Sequence, residues 1–126
     1  MTGVSRVLAT VLFLFTGTMH FVQPAAFISI VPPQLPAPGL LVAISGAAEI
    51  AGALGLVLPS TRRAAVYGLV ALLLAVFPAN IYMALEHEKF ASFANALVLY
   101  ARLPLQLLLI AWVWNLRPRA DVRASA

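Results

Sequence analysis

The sequence alternates long apolar runs with short links that are rich in proline or in charged residues. Four apolar runs are predicted to form helices, at about residues 5–22, 40–58, 63–85 and 91–115. Each run is close to the ~20 residues that an α-helix needs to cross the hydrocarbon core of a bilayer. The pattern therefore predicts an all-α fold, namely an integral membrane four-helix bundle with a left-handed twist.

The link between the first two runs has a composition of its own. Gln23–Gly39 reads "QPAAFISIVPPQLPAPG", with five prolines and no charged residue. Proline lacks a backbone donor and interrupts regular helix, yet the stretch "AAFISIV" is apolar. We expect an interfacial or re-entrant segment that lies against the bundle, because irregular backbone at membrane depth has to be covered by protein.

The arginines of the chain indicate how the runs are oriented. Four spans place both termini and the link near residue 60 on one side of the membrane. That side carries most of the cations, namely Arg6, Arg62, Arg63, Arg117, Arg119 and Arg123. The positive-inside rule then predicts cytoplasmic termini. We expect a single transmembrane domain of residues 1–116, followed by a basic, disordered cytoplasmic tail of residues 117–126.

Composition agrees with a membrane protein. Of the 126 residues, 63% are hydrophobic and 10% are charged, and a soluble domain of this size could not bury so much apolar surface. The net charge of +4 does not indicate nucleic acid binding, because the arginines lie at the ends of apolar runs as interface anchors. The absence of cysteine excludes disulfides, thiol redox chemistry and thiolate metal sites within the chain, and no other metal site is expected.

Two ionisable side chains, Glu49 and Arg102, fall inside the predicted spans. Each lies about ten residues from the helix end opposite the termini, or ~15 Å deep at the rise of an α-helix. Equal depth permits an ion pair, and pairing is favoured because either charge alone costs several kcal/mol in hydrocarbon. The alternative is that Glu49 is protonated and therefore neutral.

Each predicted helix brings polar side chains to the half of the bundle away from the termini, whereas the other half is almost entirely apolar. Glu49 shares its helix face with small residues, which let another helix approach. The positions expected to bind a ligand are His20, Glu49, Asn80, Arg102 and Gln106. Pro78 and Pro104 lie nearby, and each leaves a backbone carbonyl one turn earlier without its amide partner. Such carbonyls can bind a ligand, or the polar side chains themselves can satisfy them.

Two interpretations of this cluster remain open. In the first, it is a head-group pocket in which Arg102 holds an anionic or carbonyl oxygen and Glu49 is the counter-ion or proton acceptor. His20 would then exchange a proton at near-neutral pH. In the second, the Glu49–Arg102 pair is a brace that fixes helix register, and the protein is a membrane scaffold or assembly factor. No nucleophile with an adjacent base and no phosphate-binding loop is recognised.

Five stretches, in order along the chain, carry a resemblance to a known family. They read "GTMHFVQP", "IVPPQLPAP", "LVAISGAAEIAGALGLVLPSTRRAAVYGL", "AVFPANIYMAL" and "ARLPLQLLLIAW". Together they resemble the DoxX/DoxX-like family of small four-helix bacterial membrane proteins, and they cover most of the chain. By that resemblance, the family's polar positions are His20, Glu49, Asn80, Arg102 and Gln106.

The resemblance implies a multi-pass protein of the bacterial cytoplasmic (inner) membrane, and it implies more about fold than about chemistry. Some DoxX-like proteins are membrane subunits of quinone-linked oxidoreductases, including a thiosulfate:quinone one, or membrane partners in thiol-stress complexes. More distant relatives are assembly helpers. We therefore expect a quinone as the first candidate ligand, a membrane or redox protein or a second copy as partner, and a chain that is not a stand-alone enzyme. No nucleic acid partner is expected.

Overall fold

The computed structural model of the chain describes residues 2–86, 88–91 and 95–118. Within them the chain forms helices and no strand. The helices are α1 (Thr2–Val22), α2 (Pro24–Ile28), α3 (Pro38–Val57), α4 (Arg62–Leu85) and α5 (Ala96–Trp114). All except α2 are long and apolar enough to cross a membrane. The prediction of an all-helical chain with four such helices is confirmed, whereas the predicted disordered tail lies, from residue 119 onward, outside the described residues.

The long helices pack in chain order, α1 against α3, α3 against α4 and α4 against α5, while α2 contacts both α1 and α3. A buried apolar core joins α1, α3, α4 and the end of α5. Its members are Ala9, Phe13, Ala53, Leu56, Ala65, Val66, Leu69, Leu73, Val113 and Leu116. This core lies towards the end of the molecule that carries Arg6, Arg62, Arg63 and Arg117, which we call the basic end.

The opposite end is covered by α2, by residues 29–37 and by the turn residues 86 and 88–91, and we call it the capped end. A smaller apolar cluster lies there, and its buried members are Met83, Ala84, Phe90 and Leu99. Ile30 of the proline-rich segment packs against this cluster, whereas α2 packs against α1 and α3. The segment therefore crosses the capped end from α1 and α3 to α4 and α5.

Aromatic and basic side chains meet at the basic end. The rings of Tyr67 and Trp114 stack with centroids 5.6 Å apart, and the guanidinium of Arg117 lies 4.3 Å from the Trp114 ring centroid. Arg62 donates to the Leu56 carbonyl at 2.9 Å and so satisfies an acceptor at the end of α3. Such a combination of aromatic rings and arginines is typical of a membrane–water interface.

The outer surface of the long helices is apolar. Val7, Phe15, Leu54, Leu97 and Leu108 are each more than half exposed, with Leu97 reaching 79%. Soluble monomers rarely expose continuous apolar surface on this scale. A surface of this kind suits contact with lipid.

Candidate polar site between α1 and α3

The carboxylate of Glu49 lies between α1 and α3 and is held there by two side chains of α1. The hydroxyl of Thr16 donates a hydrogen bond to Glu49 Oε1. His20 Nε2 lies 3.3 Å from Glu49 Oε2, and the two side chains are 11% and 12% exposed. Both oxygens of the carboxylate thus have a polar partner between two largely apolar helices.

Two glycines bring the helices close enough for this contact. A Cβ added to Gly46 would lie 2.7 Å from His20 Cβ and 3.0 Å from the Gly17 carbonyl oxygen. A Cβ added to Gly17 would in turn lie 3.0 Å from Glu49 Cβ and from the Gly46 carbonyl oxygen. The backbones therefore touch at this crossing, as small residues allow in membrane helix pairs. His20 and Glu49 each follow one of the glycines by three residues and so flank the crossing.

The contacts of His20 define the orientation of its imidazole ring. Nδ1 lies 2.7 Å from the Thr16 backbone oxygen, and a carbonyl can only accept, so Nδ1 is the donor. Nε2 therefore faces Glu49 with either a proton or a lone pair. Nε2 is thus the ring nitrogen that meets the carboxyl group of Glu49, and imidazole and carboxyl groups at this distance can exchange a proton.

An aromatic ring covers the imidazole of His20. Phe27 of α2 stacks on it with ring centroids 4.0 Å apart and an angle of 20° between the planes. Phe27 is partly buried, and α2 itself has no fully buried residue. The site is thus closed on this side by one planar ring that a short, peripheral helix carries.

A second polar cluster lies between α4 and α5 near the capped end. Arg102 Nη2 donates to Asn80 Oδ1 at 3.4 Å, and its Nη1 lies 3.4 Å from the sulfur of Met83. Asn80 and Met83 are buried, whereas Arg102 is exposed. Both contacts are long, and both partners are neutral.

Gln106 has a structural contact of its own. Its Nε2 donates to the backbone oxygen of Leu73 at 3.0 Å. Pro78 leaves the carbonyl of Leu74 without its usual amide partner, and Leu73 is the residue before Leu74. Gln106 therefore bonds the carbonyl next to the one that the proline frees, and the bond links α5 to α4.

The predicted ion pair between Glu49 and Arg102 is wrong. The prediction placed both residues at one depth, assuming a fourth helix from about residue 91. α5 instead begins at Ala96, where Asn95 accepts the Val98 amide at 3.0 Å and so acts as the N-cap. Arg102 is then six residues into its helix, and Glu49 is eleven residues into α3, which amounts to a difference in depth of ~7 Å.

The family of this chain is shown by its sequence. A family model described as "Domain of unknown function (DUF8561)" matches residues 8–117. The chain belongs to this family. No curated protein and no solved structure matches the chain. The region that the family covers includes all five predicted site residues, and the resemblance to DoxX-like proteins stays a prediction beside it.

Sequence reasoning found His20 and Glu49 but missed that they are partners. It also did not connect Thr16, Phe27 or the glycine crossing with the carboxylate. One usable signal was present, because Thr16 and His20 are four residues apart and so share a helix face. Nothing in the sequence pointed to Phe27, since its role depends on how the proline-rich segment folds back.

Proposed function

We propose that this protein is a multi-pass membrane protein in which the four long helices form a bundle and the proline-rich segment lies at a membrane interface. In this proposal, which the DoxX-like stretches support, the His20–Glu49 pair binds the head group of a lipophilic, quinone-like molecule. The chain serves a partner oxidoreductase as membrane subunit or helper. The apolar exterior of the long helices supports the membrane location.

The observation that carries this proposal is the 3.3 Å contact between His20 Nε2 and Glu49 Oε2 in a site of low exposure, because these two groups can exchange a proton. A quinone head group is planar, and its carbonyl oxygens accept a proton when the ring is reduced. The Phe27 ring on the imidazole occupies the position in which such a planar head group would stack. A head group that displaces Phe27 would lie against the imidazole of His20.

The chemistry divides between this chain and its partner. Reduction of a quinone to the quinol takes up two electrons and two protons, and the electrons must come from the partner enzyme. His20 and Glu49 together supply one proton at a time and are reprotonated between the two transfers. Within the described residues no group of three or more metal-ligating side chains occurs. In this proposal the chain binds the head group and handles protons, while the partner enzyme supplies the electrons.

A binding measurement tests the proposal. The chain is reconstituted in lipid nanodiscs, and binding of a decyl-substituted benzoquinone is measured by equilibrium dialysis. Glu49→Gln is expected to weaken saturable binding by about tenfold, the effect of losing one charge-assisted hydrogen bond. Thr16→Val should weaken binding less, because it removes one neutral donor to the carboxylate.

The matched control is Thr18→Val. Thr18 lies on α1 as well, but it is exposed and its hydroxyl donates only to the Leu14 carbonyl, at 2.6 Å. The control should bind the probe as the unaltered protein does. Equal affinity in Glu49→Gln and Thr18→Val, or no saturable binding by the unaltered protein, would contradict the proposal.

A scaffold or assembly factor is the competing function. The observation that favours it is that the partners of Glu49 are all supplied by the chain, so the cluster can act as a brace between α1 and α3. The brace in this case is Glu49 with His20, not the Glu49–Arg102 pair that the sequence suggested. This function predicts that Glu49→Gln lowers stability while organic extracts of the purified protein contain no stoichiometric lipophile.

Location and orientation complete the proposal. We place the protein in a bacterial cytoplasmic membrane with both termini in the cytoplasm, because the described arginines Arg6, Arg62, Arg63 and Arg117 share one end. The positive-inside rule assigns that end to the cytoplasm. A reporter enzyme active only in the periplasm, fused after the last residue, should be inactive, and activity would reverse the assignment.

A further inference from the structure

The charge of Arg102 is not compensated by the described part of the chain. Its two contacts at 3.4 Å are to the amide oxygen of Asn80 and the sulfur of Met83. The carboxylate of Glu49 is engaged by α1, and that of Glu86 lies 3.8 Å from the ammonium of Lys89. Among the described residues no carboxylate lies within ion-pair distance of the guanidinium. An arginine on an apolar helix reaches either towards water or towards an anion supplied from elsewhere.

The guanidinium lies close to the capped end. It contacts Asn80 and Met83, which precede the end of α4 at Leu85 by five and two residues. At the rise of an α-helix this is about 3–8 Å below the helix end. The side chain of Arg102 thus extends towards the capped end, as arginines near membrane interfaces do. In a bilayer that α4 spans, this depth would lie near the boundary between acyl chains and polar head groups.

We propose that Arg102 binds the phosphate group of a membrane phospholipid at the capped end. The planar guanidinium has five N–H donors and matches the geometry of phosphate oxygens. Asn80 and Met83 hold one edge of the guanidinium through a single long contact to each terminal nitrogen. The remaining donors are available to the phosphate, since the side chain is exposed.

The surface around Arg102 suits a lipid better than a free anion. Val98 and Leu105 lie four residues before and three residues after it, on the same face of α5, and they are 46% and 61% exposed. An acyl chain can lie along this apolar surface while the phosphate meets the guanidinium. A free phosphate ion would gain only the polar contact.

This site is separate from the His20–Glu49 pair, and the inference does not depend on the proposed quinone function. The two differ in ligand chemistry, because the α1–α3 site offers a transferable proton and Arg102 offers a permanent positive charge. Loss of phospholipid in an Arg102 variant would support the lipid site without testing quinone binding at the α1–α3 site.

Lipid retention during delipidation tests the inference. The unaltered protein, Arg102→Gln, Arg102→Lys and Lys89→Gln are exchanged into detergent with phosphatidylglycerol, and bound lipid is counted by native mass spectrometry. Lys89→Gln is the matched control, since it removes a cation at the same end that already has Glu86 as partner. We expect Arg102→Gln to reduce retention by about tenfold, Arg102→Lys to reduce it less, and Lys89→Gln to leave it unchanged.

Thermal unfolding separates the two sources of phosphate. Added phosphatidylglycerol should raise the midpoint of the unaltered protein and not that of Arg102→Gln, whereas added inorganic phosphate should raise neither. Equal lipid retention by Arg102→Gln and Lys89→Gln would overturn the inference. An equal rise with inorganic phosphate would overturn the lipid as source and assign the site to a free anion. Retention by Arg102→Lys at the level of Arg102→Gln would also contradict the inference, because a lysine ammonium still attracts a phosphate as a point charge.

Discussion

The polar clusters of the two helix pairs differ in what surrounds their charges. Between α1 and α3, Glu49 is 9% exposed and its oxygens meet His20 and Thr16. Between α4 and α5, Arg102 is exposed and meets only neutral groups at 3.4 Å. The first cluster is satisfied by the chain, whereas the described residues supply no anion for the second. A charge within an apolar helix is therefore not by itself a sign of an intramolecular partner.

The largest effect is expected at the glycine crossing that holds the first cluster. In Gly46→Ala the new methyl group meets His20 and the Gly17 backbone at 2.7–3.0 Å, and α1 has to move away from α3. We expect a loss of about 1–3 kcal/mol in the free energy of unfolding, the usual cost of overpacking. Reversible unfolding in mixed micelles measures it.

Gly68→Ala is the control for that change. A Cβ at Gly68 meets nothing within 4 Å, so the methyl group should only improve helix propensity, by up to about 1 kcal/mol. If both alanine variants changed stability equally, close approach of α1 and α3 would not be what fixes the first cluster.

The pairing of Glu49 is the second prediction. A double-mutant cycle of Glu49→Gln with His20→Ala should give a coupling of about 1–3 kcal/mol, because the groups are in contact and of low exposure. The same cycle of Glu49→Gln with Arg102→Gln should be additive to within about 0.5 kcal/mol. Coupling to Arg102 but not to His20 would restore the pair that the sequence suggested.

A smaller effect is expected for the hydrogen bond between α4 and α5. Gln106→Leu removes the donor to the Leu73 carbonyl and should cost about 0.6 kcal/mol, the average for a side-chain hydrogen bond between membrane helices. The free energy of unfolding in micelles measures this as well. A loss several times larger would mean that Gln106 belongs to a coupled network rather than to one bond.

The smallest effect on stability is expected for Arg102→Gln in phospholipid-free detergent. Since the guanidinium is exposed and makes two long contacts, the change should stay within about 0.5 kcal/mol. The measurement also sharpens the contrast with Glu49, because a large loss without lipid would show that Arg102 is satisfied inside the chain after all.

Helix levels explain why the sequence paired the wrong residues. A Cβ on Gly52 would lie 2.6 Å from the Leu69 side chain, so Gly52 of α3 and Leu69 of α4 are at the same level. Glu49 and Leu73 lie about one turn from these residues in the same direction, and they therefore also share a level. Gln106 bonds to Leu73 and so shares that level. Counting residues from the predicted helix ends could not reveal these levels. The start of α5 lies about five residues after the predicted start, which corresponds to ~7 Å along the helix axis.

The sequence by itself determined the long apolar helices, the proline-rich link and the presence of polar groups near the capped end. These features depend on local composition, run length and proline chemistry, which the chain displays directly. Only the tertiary structure decided that Glu49 meets His20 and that Arg102 meets Asn80. Partnership depends on which helices are neighbours and on their relative height, and a side chain reaches only a few ångströms across such an interface.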